Sequence, residues 1–165
     1  MFPRFASAAA GALCFAMMSA GVPHYAAQAA TSPFVGMAGS WSGGGTISMA
    51  NGARERVRCL ASYGVAGGGE DLRLNLRCAS DSYNFDLAGD VAYRGGAISG
   101  SWREAAHNAA GTISGRAVGD HIEAAATGGS FAASLSLTTR GNRQAVSIRP
   151  EGTEVSGVSI TLTRR

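Results

Sequence analysis

The chain has 165 residues, a formal net charge of +3 at pH 7 and no lysine, so that all 14 of its basic residues are arginine. Apolar residues make up 45%, charged residues 15% and aromatics 7%. That is too apolar for a disordered tail and too sparsely charged for a nucleic-acid-binding arm or a coiled coil. The length fits one domain.

The first segment, Met1 to Ala29, carries one early positive charge at Arg4, a small and apolar stretch from Phe5 to Val22, and then Ala27-Gln28-Ala29. This is the pattern of a secretory signal peptide, with Ala27 and Ala29 as the small residues a signal peptidase accepts and cleavage expected before Ala30. Gly11, Ser19, Gly21 and Pro23 interrupt the apolar run and leave it short of a roughly 20-residue span, so no transmembrane span is expected in the mature form. Cys14 follows Leu13, a large residue where a lipoprotein signal needs a small one. The mature chain of 136 residues is therefore expected to be periplasmic or secreted, with residues 30–38 as an N-terminal extension and 39–165 as a single domain.

Beyond Ala30 the sequence lacks helical periodicity, and period-two alternation recurs between Gly-rich or Asn-Gly punctuation. Strands are predicted near residues 39–49, 54–65, 71–79, 82–94, 96–104, 110–117, 120–127, 130–139, 143–149 and 154–163. Val57, Cys59, Ala61, Tyr63 and Val65 share one parity, as do Leu72, Leu74, Leu76 and Cys78. A hairpin about Gly68-Gly69 would pair positions whose numbers sum to 137, which sets Cys59 opposite Cys78. These are the two cysteines left after leader removal, and an even pair in an exported chain reads as a disulfide. Closing that 20-residue loop stabilises by roughly 3 kcal/mol on the chain-entropy model.

The alternation continues through Tyr83, Phe85, Leu87, Gly89, Val91 and Tyr93, through Ile98, Gly100 and Trp102, and later through Phe131 to Leu137 and Val158 to Leu162. One dry face and one wet face mark an antiparallel sheet joined by short hairpins. About ten such strands would leave edges and an apolar face open unless the sheet closed, so an all-β antiparallel meander forming a barrel of eight to ten strands is expected. Gly89, Gly100, Gly115 and Gly157 inside strands suit the sharp coiling that a barrel requires. The alternative is a two-sheet β-sandwich.

Gly39-Ser40-Trp41 heads this meander, and Gly-x-Trp near a mature N-terminus, with one disulfide, resembles the lipocalin and avidin type of calycin β-barrel. The resemblance implies that Trp41 packs across one end of the barrel; it rests on Gly39 and Trp41 alone and carries no ligand class. The run Gly100-Ser101-Trp102-Arg103-Glu104 and the closing Arg143 to Leu162 region also resemble a group of small exported alphaproteobacterial proteins without assigned activity. That resemblance implies an envelope protein.

Chemistry is sparse. His107 lies near Glu104, and His121 near Asp120 and Glu123, but a metal needs three or four converging ligands, so no metal site is expected. Gly-x-Ser-x-Gly at a strand-to-helix elbow is absent, and Gly43-Gly44-Gly45 and Gly67-Gly68-Gly69 lead into no Lys-Ser or Lys-Thr helix, so neither a hydrolase site nor a nucleotide cofactor is expected. Glu55 and Glu104 share parity with inward apolar residues and form a candidate polar cluster at the mouth of a pocket walled by Trp41, Tyr63, Tyr83 and Trp102. Arg54, Arg56, Arg58, Arg73 and Arg77 fall on the outward face of the second and third strands, with Asp81 expected opposite Arg56. They make a basic stripe suited to an anionic envelope component, since Arg forks fit phosphate and carboxylate. A net charge of +2 after Arg4 is removed excludes nucleic acid as the expected partner. The reading is a non-catalytic binding module for a small apolar or amphipathic ligand, with contact through the outer Arg face as the alternative.

Overall fold

The computed structural model describes residues 31–165; the leader and its cleavage site, read at residues 1–29, lie outside them. Ten strands follow one another: β1 (Gly39–Met49), β2 (Arg54–Ala66), β3 (Asp71–Ala79), β4 (Asn84–Arg94), β5 (Ala97–Glu104), β6 (Ala109–Val118), β7 (His121–Gly128), β8 (Phe131–Arg140), β9 (Arg143–Glu151) and β10 (Val155–Arg164). Each pairs antiparallel with its neighbour in sequence, and β1 pairs with β10, so the sheet closes into one barrel. The closed ladder is a calycin-like β-barrel and excludes the two-sheet sandwich. Every strand boundary lies within two residues of its expected place.

Register follows parity. Because side chains alternate with a period of two, a one-residue slip would turn each apolar set outward. The β2–β3 ladder pairs Val65 with Leu72, Ala61 with Leu76 and Cys59 with Cys78. The two cysteines are disulfide-bonded with their Cα atoms 4.1 Å apart, the close approach of a non-hydrogen-bonded pair. The same inward set carries round the barrel, from Leu87 opposite Glu104 to Ile160 opposite Gly45.

Glycine acts where strands crowd. A Cβ on Gly45 would lie 1.7 Å from the Ser159 carbonyl oxygen, and one on Gly43 2.0 Å from that of Thr161; side-chain-free positions on β1 let it coil tightly against β10. Of the four strand glycines expected to serve this way, Gly100 and Gly115 do, with a Cβ falling 2.2 Å from Asp90 O and 2.1 Å from Glu123 O. Gly89 and Gly157 have room for one.

The barrel has two unlike ends. At the end where β1 starts and β10 finishes, a 3₁₀ turn (Pro33–Met37) covers the opening. Pro33 pre-sets the first φ, the Ser32 hydroxyl accepts the Phe34 N–H at 3.2 Å, and Phe34 and Met37 are buried. This turn belongs to the stretch read as an extension. At the other end, the described residues supply only the turns that join β1 to β2, β3 to β4, β5 to β6, β7 to β8 and β9 to β10.

Candidate functional site

At the capped end every buried polar group is matched. Trp41 is 1% exposed, and its indole Nε1–H donates to Met37 O at 2.7 Å. Arg164, inward on β10 and paired with Trp41 across the closing ladder, lies over the indole with its guanidinium carbon 4.5 Å from the ring centre. It also donates to the Ala38 and Gly36 carbonyls. Tyr63 meets Trp41 edge to face, and its hydroxyl donates to Gln144 Oε1 at 2.6 Å; Gln144 Nε2 donates on to Thr139. Burial pushes the Tyr63 hydroxyl above the usual phenol range, only partly offset by the Gln144 bond. This end is a lid held by satisfied hydrogen bonds.

The open end gathers the other candidate residues. Tyr83 stacks on Phe85 at 6.3 Å, and its hydroxyl approaches Met49 Sδ at 3.8 Å. Trp102 meets Phe131 edge to face at 5.4 Å. Glu104, one inward position beyond Trp102, is 6% exposed and accepts from the N–H groups of Asp86, Ala106 and His107 at 2.8, 3.1 and 2.7 Å. His107 Nδ1 adds a contact at 2.7 Å. Burial raises the Glu104 pKa, but those four bonds to the ionised form outweigh it and bring it down to about 2. Glu55 plays the same part for the neighbouring turn: it accepts the Ser82 N–H at 2.6 Å, and its pKa is lowered by the Ser80 hydroxyl and then by Ser82. Both carboxylates therefore stay ionised at the rim and anchor the turns beside them.

The six residues expected around one pocket are thus divided. Tyr83, Trp102, Glu55 and Glu104 share the open end, whereas Trp41 and Tyr63 form the lid. Between the ends the barrel wall is uneven. On β10, β1 and β2, the inward residues Ile47, Val57, Cys59, Ile160 and Leu162 are 1–4% exposed. Around the rest of the circumference the wall is mixed: Leu72, Ile98, Ile122 and Ala133 are buried, whereas Leu74, Leu76, Leu87, Ile113, Leu135, Leu137, Val146 and Ile148 also face inward yet are only half-buried, as are Val65 on β2 and Val158 on β10. Trp102 Nε1 is buried there with no hydrogen-bond partner.

On the outer face, Arg54, Arg56, Arg58, Arg73 and Arg77 are all exposed. Arg73 pairs with Asp90 at 3.2 Å and Arg77 with Asp86 at 3.4 Å. Arg54, Arg56 and Arg58 have no carboxylate partner among the described residues. The β2–β3 ladder stops at Arg58 opposite Ala79, so Asp81 falls in the following turn and does not sit across from Arg56. A groove on this face runs past Arg58, Leu60, Arg77 and Arg165. His121 contacts Thr138 at 2.8 Å and Glu123 at 3.4 Å, on the capped side and away from His107. Among the described residues no three His, Cys, Asp or Glu are placed to hold a metal, and no helix is long and apolar enough to cross a membrane.

Sequence reasoning missed Phe34, Met37, Gln144 and Arg164. Gln144 and Arg164 are polar residues at inward parity, and that mismatch was the available signal.

No family model and no curated protein sequence matches the chain. Among solved structures, Rv2717c from M. tuberculosis is similar at a TM-score of 0.61 and 15% identity, covering 81% of this chain and 94% of that one. The S-type phycobiliprotein lyase CPES from Guillardia theta is similar at 0.58 and 11% identity, covering 80% and 90%. At these identities the likeness is one of fold: a barrel resembling calycin and lipocalin-like proteins.

Proposed function

We propose that this protein is an exported, non-catalytic carrier that holds a small apolar or amphipathic ligand inside its barrel and admits it through the end opposite the 3₁₀ lid. The observation that carries this reading is the half-buried apolar belt on the inner wall. Side chains facing into a closed cylinder are fully buried where the interior packs, as at Ile47, Val57, Ile160 and Leu162; Leu74, Leu76, Leu87, Ile113, Leu135 and Leu137 fall short of that standard within the same molecule. Apolar surface left in this state favours an apolar guest by roughly 25 cal/mol for each Å² removed from water. At the mouth, Tyr83 and Trp102 stand beside two carboxylates already bonded to their turns, so the groups left for a guest are mostly apolar. Native mass spectrometry of protein purified from its own compartment tests the proposal. A discrete added mass, lost on organic extraction, is expected; bare protein in every preparation, with no uptake of long-chain ketones or alcohols, would overturn it.

A second reading is favoured by the row Arg54, Arg56, Arg58 beside exposed Leu60, which is 51% accessible: contact with an anionic, amphipathic envelope component. Co-sedimentation with phosphatidylglycerol vesicles, absent with phosphatidylcholine and abolished when the three arginines become glutamine, is its expected signature. Equal sedimentation of the variant would remove it.

A further inference from the structure

Resting on the carrier reading, the structure assigns a chemical class to the guest: we infer that it is an uncharged molecule with an apolar body and a hydrogen-bond acceptor, such as a carbonyl or ether oxygen, that is read by the indole N–H of Trp102. Trp102 is 6% exposed, its parity on β5 sends it inward between Gly89 and Gly111, and Nε1 has no acceptor in the protein. A buried N–H without a partner is costly, and native structures rarely leave one unexplained. The other tryptophan shows the contrast, since Trp41 donates to a backbone carbonyl at 2.7 Å.

An indole N–H can only donate, so it selects an acceptor. The sign of the rim narrows the class further. Glu104 stands two residues on along the same face and is ionised near neutral pH, so a guest carboxylate brought to the indole N–H would meet like charge beside it. His107 is already engaged, with its ring against Glu104 at 2.7 Å. Phe131, first in β8 after the turn, packs edge-on to Trp102 at 5.4 Å.

The test compares a ten-carbon methyl ketone with the hydrocarbon in which a methylene replaces the carbonyl oxygen, by calorimetry on wild type and Trp102→Phe. The expected result is that the variant weakens the ketone about tenfold, the worth of one hydrogen bond, and leaves the hydrocarbon unchanged. In the Trp41→Phe protein, where one indole N–H resonance remains from residues 31–165, the ketone should move that resonance downfield and the hydrocarbon should not. If both compounds bind and the variant affects them equally, or the resonance stays in place, the acceptor assignment fails while the carrier reading stands. If neither compound binds, the acceptor assignment fails, and the carrier reading fails with it where the native protein also carries no added mass. Tightest binding by the ten-carbon carboxylate would overturn the uncharged class.

Discussion

The two ends of the barrel use the same residue types for opposite purposes. Each has a buried tryptophan at inward parity, packed edge to face against another aromatic ring. At the capped end, the indole N–H is bonded to Met37 O and the ring is covered by Arg164. At the open end, the ring is packed but the N–H is not bonded, and the neighbouring polar groups serve the turns. The fold matches its buried side-chain donors at one end and leaves one unmatched at the other; on the proposed reading the first end serves stability and the second recognition.

If that division is right, damage to the lid should cost most. Trp41→Ala removes the largest fully buried side chain and is expected to destabilise by about 3–5 kcal/mol in denaturant titrations; a loss below about 1 kcal/mol would show that the lid is not part of the cooperative unit. Next in size is the acid response of the open end. The Glu104 pKa falls from 4.5 unfolded to about 2 folded, so its contribution is fully present above pH 4.5 and is lost as pH drops toward 2. On the order of 2–3 kcal/mol should disappear across that window. Glu104→Gln should flatten this part of the stability curve, and an unchanged acid limb would assign it to other carboxylates.

The smallest effect is the sharpest comparison. Trp41→Phe and Trp102→Phe make the same truncation, but only the first breaks a hydrogen bond and leaves a buried carbonyl. Trp41→Phe should therefore cost about 1 kcal/mol more than Trp102→Phe. Equal costs would mean that the Trp102 N–H is satisfied in solution.

Much of this architecture could be read from the chain because alternation has a period of two and a hairpin fixes a sum. Cys59 and Cys78 fell opposite one another for that reason, and each later strand inherited its facing from the one before. The division of the site needed a second rule besides parity. Parity says that Trp41, Tyr63, Tyr83 and Trp102 look inward and nothing about which end they occupy; that follows from strand direction, since starts of odd strands and ends of even ones lie together, which puts Trp41 and Tyr63 at one end and Tyr83 and Trp102 at the other. The lid was hidden for a different cause: Pro33–Met37 is five residues long, too short for any periodicity, and its partners are distant in sequence, with Tyr93 against Phe34 and Trp41 and Arg164 bonded to its carbonyls. An unmatched donor is a property of the surroundings in space, so Trp102 looked like any other inward aromatic.

Closure through β1 and β10 also bears on biogenesis. The strand made first waits for the strand made last, and the ladder from Trp41 opposite Arg164 to Met49 opposite Val155 is the final seam of the meander. While the ribosome is still extending the polypeptide, β1 presents a row of unsatisfied amides and the growing edge presents another, both able to recruit a neighbouring nascent chain. A side chain at Gly43 or Gly45 would run into the Thr161 or Ser159 carbonyl oxygen across that seam, so the last ladder to form is also the one that tolerates substitution least.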